Sequence, residues 1–351
     1  MSAPDMSAPV QGLRYPWPEP PAPGGWMEVA PGVLWIRLPL PMVLDHVNVY
    51  ALDEGDSWTL VDTGFHSKRS VAIWEELLKG ALGGKPVSRV ILTHHHPDHI
   101  GMAGWFMARG ASLWASRTAW LMSRMLILDE EDAVTPQAVD FWKRAGMDPE
   151  ILAKRVAERP YNFADVCAPI PVGYTRLKEG DVLRAGGRSW DVREGNGHAP
   201  EHLTFWSRED NLVLSGDQII CSISPNIGVY PTEPEADPVG EWIASCERFA
   251  ALAREEHIVL AGHKRPFTGL PFRMRQLKEN HEHGLDRLAA FLSEPKTAAE
   301  CFSVLFKRKI DQGTYGLALV EAVAHLNHLH REGRVARVLR ADGAYLWQKR
   351  A

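Results

Sequence analysis

Short runs of apolar, β-branched and aromatic residues, each closed by Gly, Pro or Asp, begin at residue 33 and recur at 33–38, 47–52 and 58–61. Runs of that length and composition predict adjacent strands of one sheet. A helical pattern over 68–82 follows, then a strand at 89–93, a helix at 102–109 stopped by Gly110, and a strand at 112–115. Such alternation predicts α/β layering. Between residues 117 and 165 the apolar positions spread out, at Leu121, Met125, Leu126, Phe141, Trp142, Ile151, Leu152 and Val156, which predicts a helical insertion. Strand patterns return at 189–193, 203–206, 212–214 and 257–260, with a helix at 239–252 before the last. A sheet-bearing domain over residues 26–271 accounts for all of them.

Beyond it, residues 272–351 show helical spacing at Leu285, Leu288 and Leu292, at Phe302 and Phe306, and at Leu319, Val323, Leu326 and His330. Two apolar runs then flank Asp342-Gly343, a hairpin signal. Three helices and a hairpin predict a small winged-helix-like domain. At the other end, residues 1–25 are rich in Pro and Ala and weakly patterned, so a loose arm is expected.

Composition narrows the functional classes. A chain of 351 residues with 45% hydrophobic content supports one large core and an appendage, and its formal charge of -5 gives no global attraction to nucleic acid or an anionic membrane. Cys167, Cys221, Cys246 and Cys301 stand far apart with no CxxC pair, so they are expected to be reduced and mostly buried. No secretory signal pattern and no membrane-length apolar run occurs, which predicts a cytoplasmic protein with no membrane partner.

The densest chemistry is Thr93-His94-His95-His96-Pro97-Asp98-His99, directly after an apolar strand and before a Gly-punctuated helix. Imidazole nitrogen and carboxylate oxygen are favoured zinc ligands, and a strand-to-helix loop can aim several into one cavity. His94 and His96 can share one metal while Asp98 and His99 reach a second. Three further candidates, His198, Asp217 and His263, each lie just past an apolar run and directly after a glycine: Gly197, Gly216 and Gly262. Glycine there permits a tight turn that swings a ligand inward.

The order of these motifs, with Val61-Asp62-Thr63-Gly64 ahead of them, resembles the metallo-beta-lactamase superfamily over roughly residues 30–271. The resemblance implies a four-layer αβ/βα sandwich with a dinuclear site. It puts His94, His96 and His198 on one ion, Asp98, His99 and His263 on the other, and Asp217 between them. Asp62 corresponds to the family's buried aspartate beneath the site. His95 falls outside the ligand pattern and is expected to be structural, and His202 to be a loop residue or a support behind the ligands.

Two divalent ions, zinc first with iron or manganese as alternatives, would give a metal-bridging hydroxide as nucleophile, with Asp98 orienting it. The loop Gly197-His198-Ala199-Pro200-Glu201-His202 most resembles glyoxalase II-like hydrolases and lactamase-like relatives with a C-terminal winged helix. A thioester, ester or lactone substrate is therefore expected. The alternatives are hydrolysis of single-stranded RNA or another phosphodiester, for which Lys307-Arg308-Lys309 with Arg331, Arg334, Arg337 and Arg340 could meet phosphates, and a mononuclear iron enzyme resembling persulfide dioxygenases. The helices of residues 117–165 are expected either to cover the site as a lid or to extend the core or make a homodimer contact.

Overall fold

The structure, a computed structural model, describes residues 12–350. Its first sheet runs in chain order through β1 (Trp26–Ala30), β2 (Val33–Pro39), β3 (His46–Asp53), β4 (Trp58–Val61), β5 (Val87–Ile91), β6 (Ser112–Ala115) and β7 (Thr175–Arg176). The second is built from β8 (Val182–Ala185), β9 (Arg188–Gly195), β10 (His202–Ser207), β11 (Leu212–Gly216) and β12 (Ile258–Ala261), with β12 and β8 at its edges. A terminal hairpin pairs β13 (Val335–Leu339) with β14 (Tyr345–Lys349).

Alternation along the strands assembles the layers, because successive side chains point to opposite faces. In β2, Val33 and Trp35 enter one core while Leu34, Ile36 and Leu38 enter another. The first of these cores also holds Trp190, Val192, Leu203, Phe205 and Leu214 of the second sheet, so the two sheets pack face to face.

Helices cover both outer faces. Those of the first half are α1 (Lys68–Lys79), α2 (Pro97–Ile100), α3 (Ala103–Met107) and α4 (Arg117–Leu128). Trp74 of α1, Phe106 of α3 and Ala119 of α4 pack on the outer side of the first sheet. There follow α5 (Pro136–Arg144), α6 (Pro149–Ala157), α7 (Pro238–Leu252), α8 (Leu270–Phe291), α9 (Phe302–Leu305) and α10 (Tyr315–Arg331). Trp242 of α7, Leu277 of α8 and Leu319 of α10 share the outer core of the second sheet with Val213 and Val259. Caps written in the sequence start several of these helices. Ser67, Ser116, Thr135 and Asp148 each accept a backbone N–H of the first turn, and Pro follows two of them at the first helical position.

Some expectations differ from the structure. Residues 1–11 of the expected loose arm lie outside the described residues, but residues 12–25 are packed. Leu13 is buried, Arg14 and Thr268 exchange backbone hydrogen bonds, and the Gly24 N–H donates to the Arg37 carbonyl. Extended Pro-rich backbone has few donors to satisfy, so a handful of apolar anchors suffices to hold it as a strap.

The strands β1, β7 and β8 are absent from the sequence expectation. All three lie at sheet edges, and β7 has two exposed residues, so little apolar pattern marks them. The hairpin closes through a bond from the Arg340 N–H to the Ala344 carbonyl, with Gly343 at φ +92°, so three residues form the turn instead of Asp-Gly alone.

The insertion is anchored. Phe141 and Ala145 join the core that holds the C-terminal helices, and the Ala299 N–H donates to the Ala145 carbonyl. Helix α8 crosses the expected boundary at residue 271 while packing on α7 in that same core. All four cysteines are buried and unpaired, and no helix among the described residues is long and apolar enough to cross a membrane.

Burial of histidines in this outer core makes an acid-stability prediction. His281 on α8 and His325 on α10 stack at 5.5 Å, and burial first, with neighbouring histidine charge, depresses them to about 3 and about 4. Groups held neutral in this way stabilise the fold fully above their unfolded pKa near 6.5, and that contribution is lost as pH falls toward the folded values. Lowering pH from 7 to 5 is expected to cost on the order of 1–2 kcal/mol per histidine. Urea midpoints across that window check it: the His281→Phe/His325→Leu double variant should show a flatter profile than the parent, and parallel profiles would refute it.

Candidate metal centre

The candidate ligands emerge at one rim of the sandwich. His94 follows β5, His198 follows β9, Asp217 follows β11 and His263 follows β12, while His96 caps the short helix α2 that carries Asp98 and His99; the supporting Asp62 follows β4 at the same rim. The structure brings all seven proposed ligands together. One donor atom from each of His94, His96 and His198 lies within 4.8 Å of the others, as do those of His94, His99 and Asp217, and those of Asp98, His99 and His263.

Carboxylates bind the two halves together. Asp217 Oδ1 lies 3.4 Å from His99 Nε2, and Asp217 Oδ2 lies 3.1 Å from His263 Nε2 and 3.6 Å from His198 Nε2. Asp98 Oδ2 is 3.2 Å from His263 Nε2 and 3.6 Å from His99 Nε2. Asp217 therefore touches residues of both groups, and Asp98 of one.

The other ring nitrogens are tied to protein. His198 Nδ1 donates to the Asn226 carbonyl at 2.8 Å, His263 Nδ1 to the His46 carbonyl at 2.7 Å, and His99 Nδ1 to Asp62 Oδ2 at 2.8 Å. The Thr93 hydroxyl donates to Asp62 at 2.8 Å, so its oxygen accepts from His94 Nδ1 at 2.9 Å. Each of these bonds aims the opposite nitrogen into the cavity. There His94 Nε2, His99 Nε2, His198 Nε2 and Asp217 Oδ1 are buried and have no hydrogen-bond partner among the described residues. Buried polar atoms left unpaired are costly. Convergent imidazole nitrogens and carboxylates fit divalent cations of the zinc kind.

Charge divides the site. Burial, and then neighbouring imidazoles, hold His94 and His96 well below the usual histidine range, so they are neutral donors. Burial also opposes charge on His99 and His263, yet Asp217 and the other carboxylates prevail, lifting His99 well above its ordinary value and His263 to about 9. Asp98 and Asp217 are in turn held low despite burial by those two histidines. Positive charge is thus drawn to the half of the site where the carboxylates are concentrated.

Comparison with known proteins decides the family. The family described as "Metallo-beta-lactamase superfamily" matches residues 42–263, and "Metallo-beta-lactamase-like, C-terminal domain" matches residues 285–350. The chain belongs to the metallo-beta-lactamase superfamily. A probable metallo-hydrolase of Bacillus subtilis (strain 168) is 25% identical over 329 residues, 89% of this chain and 97% of that one. The crystal structure of a beta-lactamase domain protein from Burkholderia ambifaria is 35% identical with a TM-score of 0.88, covering 96% of this chain and 98% of that one. That of a metallo-beta-lactamase family protein from Thermus thermophilus is 28% identical with a TM-score of 0.77, covering 92% of this chain and all of its own. The four-layer arrangement of this chain is therefore the metallo-beta-lactamase fold, with a C-terminal domain attached.

Within that fold, the structure gives further residues parts to play. Asp62, at φ +62°, accepts from the Thr93 N–H and hydroxyl and from His99, so one buried carboxylate holds the start of the histidine loop. His202 accepts the Asp217 N–H at 3.1 Å and stacks on His94 at 4.6 Å, which makes it a support behind the ligands. His95 is buried beside His96.

Asn226 and His46 are missed by sequence reasoning, because backbone carbonyls do the work and carry no residue-type signal. Their side chains fix those carbonyls in place. Asn226 Nδ2 donates to Glu321 Oε2 at 2.7 Å and to the Leu317 carbonyl at 3.2 Å, so α10 of the C-terminal domain reaches His198 through one residue. His46 Nε2 accepts the Lys264 N–H at 3.0 Å, next to His263.

Proposed function

We infer that this protein is a dinuclear, zinc-dependent hydrolase of ester, thioester or lactone bonds in small molecules. The observation that carries the reading is the set of orphaned His94, His99 and His198 Nε2 atoms converging with Asp217 Oδ1. His94, His96 and His198 would hold one cation, Asp98, His99 and His263 the other, and Asp217 both. Divalent cations held there would polarise a carbonyl oxygen and bring the pKa of a water to near neutrality.

The chain supplies the rest. Asp98, at the mouth of the site with its side chain 16% exposed, is placed to orient the attacking water and accept its proton at the carboxylate. Asp62 and the Asn226 and His46 carbonyls keep the imidazoles in the tautomer that presents Nε2. No serine or cysteine nucleophile is needed, and burial pushes the nearby Cys167 thiol well above its usual value.

The metallo-hydrolase description of the Bacillus subtilis relative supports hydrolysis. The unpaired cysteines support a cytoplasmic setting. We read the C-terminal helices and hairpin as winged-helix-like. Phosphodiester cleavage is the weaker reading: Arg331, Arg334, Arg337 and Arg340 all have a carboxylate within 4.0 Å, which leaves less positive charge for nucleic acid.

The test is chelation, reloading with zinc, and assay against esters, thioesters, lactones, cyclic nucleotides and short RNA. Hydrolysis of a carbonyl substrate, abolished in His96→Ala and Asp98→Ala with unchanged circular dichroism, is the expected result. Parental activity in either variant would remove the reading.

A further inference from the structure

A cavity of about 650 Å³ opens where α5, α6 and residues 158–161 face Gln312 of the C-terminal region. Its size falls within the roughly 300–1,000 Å³ typical of small-molecule sites. The lining combines Trp142 and Ile151 with the cations Lys154 and Arg155.

The charges in it are unequally satisfied. Arg159, also in the lining, is committed to Asp165 and Glu130. Among the described residues Lys154 has only a neutral partner, Gln312 Oε1 at 3.3 Å, and Arg155 lies over the Trp142 ring at 5.6 Å. Neither forms an ion pair with a carboxylate among the described residues, although Glu150 and Glu158 share the lining. Two adjacent cations beside an aromatic face suit an organic phosphate better than an uncharged acyl chain.

The cavity is tied to the metal centre through one stretch of chain. Tyr161 lines it, and from there the chain runs directly to the helix that bears Asp98: Val166 accepts from the His66 N–H, the Ala168 N–H donates to Gly101, and Cys167 Sγ lies 4.0 Å from the Pro97 carbonyl. One stretch of chain thus lines the cavity at its start and packs on the helix of Asp98 at its end.

We propose that this cavity binds the phosphate-bearing tail of a small acyl substrate, with Lys154 and Arg155 contacting the phosphate and Trp142 and Ile151 the organic part. The proposal rests on the carbonyl-hydrolase reading for the identity of the substrate, but the binding site can be tested without turnover. Coenzyme A serves as the probe, titrated calorimetrically into the zinc-loaded full chain. Binding is expected, with Kd raised at least about tenfold in the Lys154→Glu/Arg155→Glu variant. The same variant should hydrolyse a neutral short thioester, the acetyl ester of N-acetylcysteamine, within about twofold of the parent, since neither residue belongs to the metal centre.

No binding of coenzyme A by the parent, or equal binding by parent and variant, overturns the proposal. Tighter binding of a ten-nucleotide RNA than of coenzyme A, lost in the same variant, also overturns it by assigning the cations to nucleic acid. Loss of coenzyme A binding in the variant, with the N-acetylcysteamine thioester left uncleaved by the parent, sustains the site and refutes only the thioester reading.

Discussion

Replacing Asp217 with alanine is expected to lower turnover at least about 1,000-fold and to reduce metal content. This carboxylate lies 3.4 Å from His99, 3.6 Å from His198 and 3.1 Å from His263, so between the two carboxylates among the ligands it is the one that reaches both groups. Its removal leaves His99 and His263 raised by fewer negative charges and takes away the oxygen that links the two halves. Asp217→Asn separates charge from shape: it keeps an oxygen but loses the negative charge, and should be almost as inactive. Metal content measured with kcat distinguishes these effects from misfolding. Full metal content with activity within tenfold of the parent, in Asp217→Ala, would contradict the assignment.

A second large effect is expected from Gly262→Ala, a change of one methyl group. A Cβ at residue 262 would fall well inside contact distance of Asp217 Oδ1, and would lie 2.9 Å from His99 Cε1 and 3.1 Å from the Gly216 carbonyl carbon. The backbone has little freedom to retreat, since the Gly262 carbonyl accepts from the Asn48 N–H at 2.6 Å and its own N–H donates to Gly216 at 2.7 Å. Asp217 or His99 must therefore move. Overpacking of this kind costs about 1–3 kcal/mol in stability, and a displacement near 1 Å at a reacting centre costs about 100-fold in rate. A folded but metal-poor variant with activity down about 100-fold is the expected outcome. Parental kinetics would mean that the site is looser than these distances describe.

Much of this site is legible in the residues themselves. His94, His96, Asp98 and His99 crowd one turn after a strand, and such a concentration of donor side chains has few other uses in a short loop. The glycines preceding His198, Asp217 and His263 are legible for a related reason. Gly197 and Gly216 have positive φ, and each of the three glycines leaves space that a Cβ would take from a neighbour.

What stays hidden acts through the backbone or through edges. The carbonyls of Asn226 and His46 orient two ligands, and any residue offers a carbonyl. The edge strands β1 and β8 bury too little to leave a strong pattern. The Pro-rich strap of residues 12–25 is ordered by Leu13, Tyr15 and Trp17, three anchors at strand-like spacing whose intervening Pro16 and Pro18 argue against a paired strand. The insertion is likewise ambiguous in sequence, because a lid and a core extension both need apolar helix faces. Phe141 and Ala145, buried with the C-terminal helices, resolve α5 as part of the core.

The central claim is that these seven side chains hold a pair of cations, and anomalous diffraction at the zinc absorption edge from crystals of zinc-reloaded protein tests it most directly. The account predicts two peaks, one amid His94, His96 and His198 and one amid Asp98, His99 and His263, with Asp217 between them. A single peak in that cavity, or no zinc signal there at all, would contradict it.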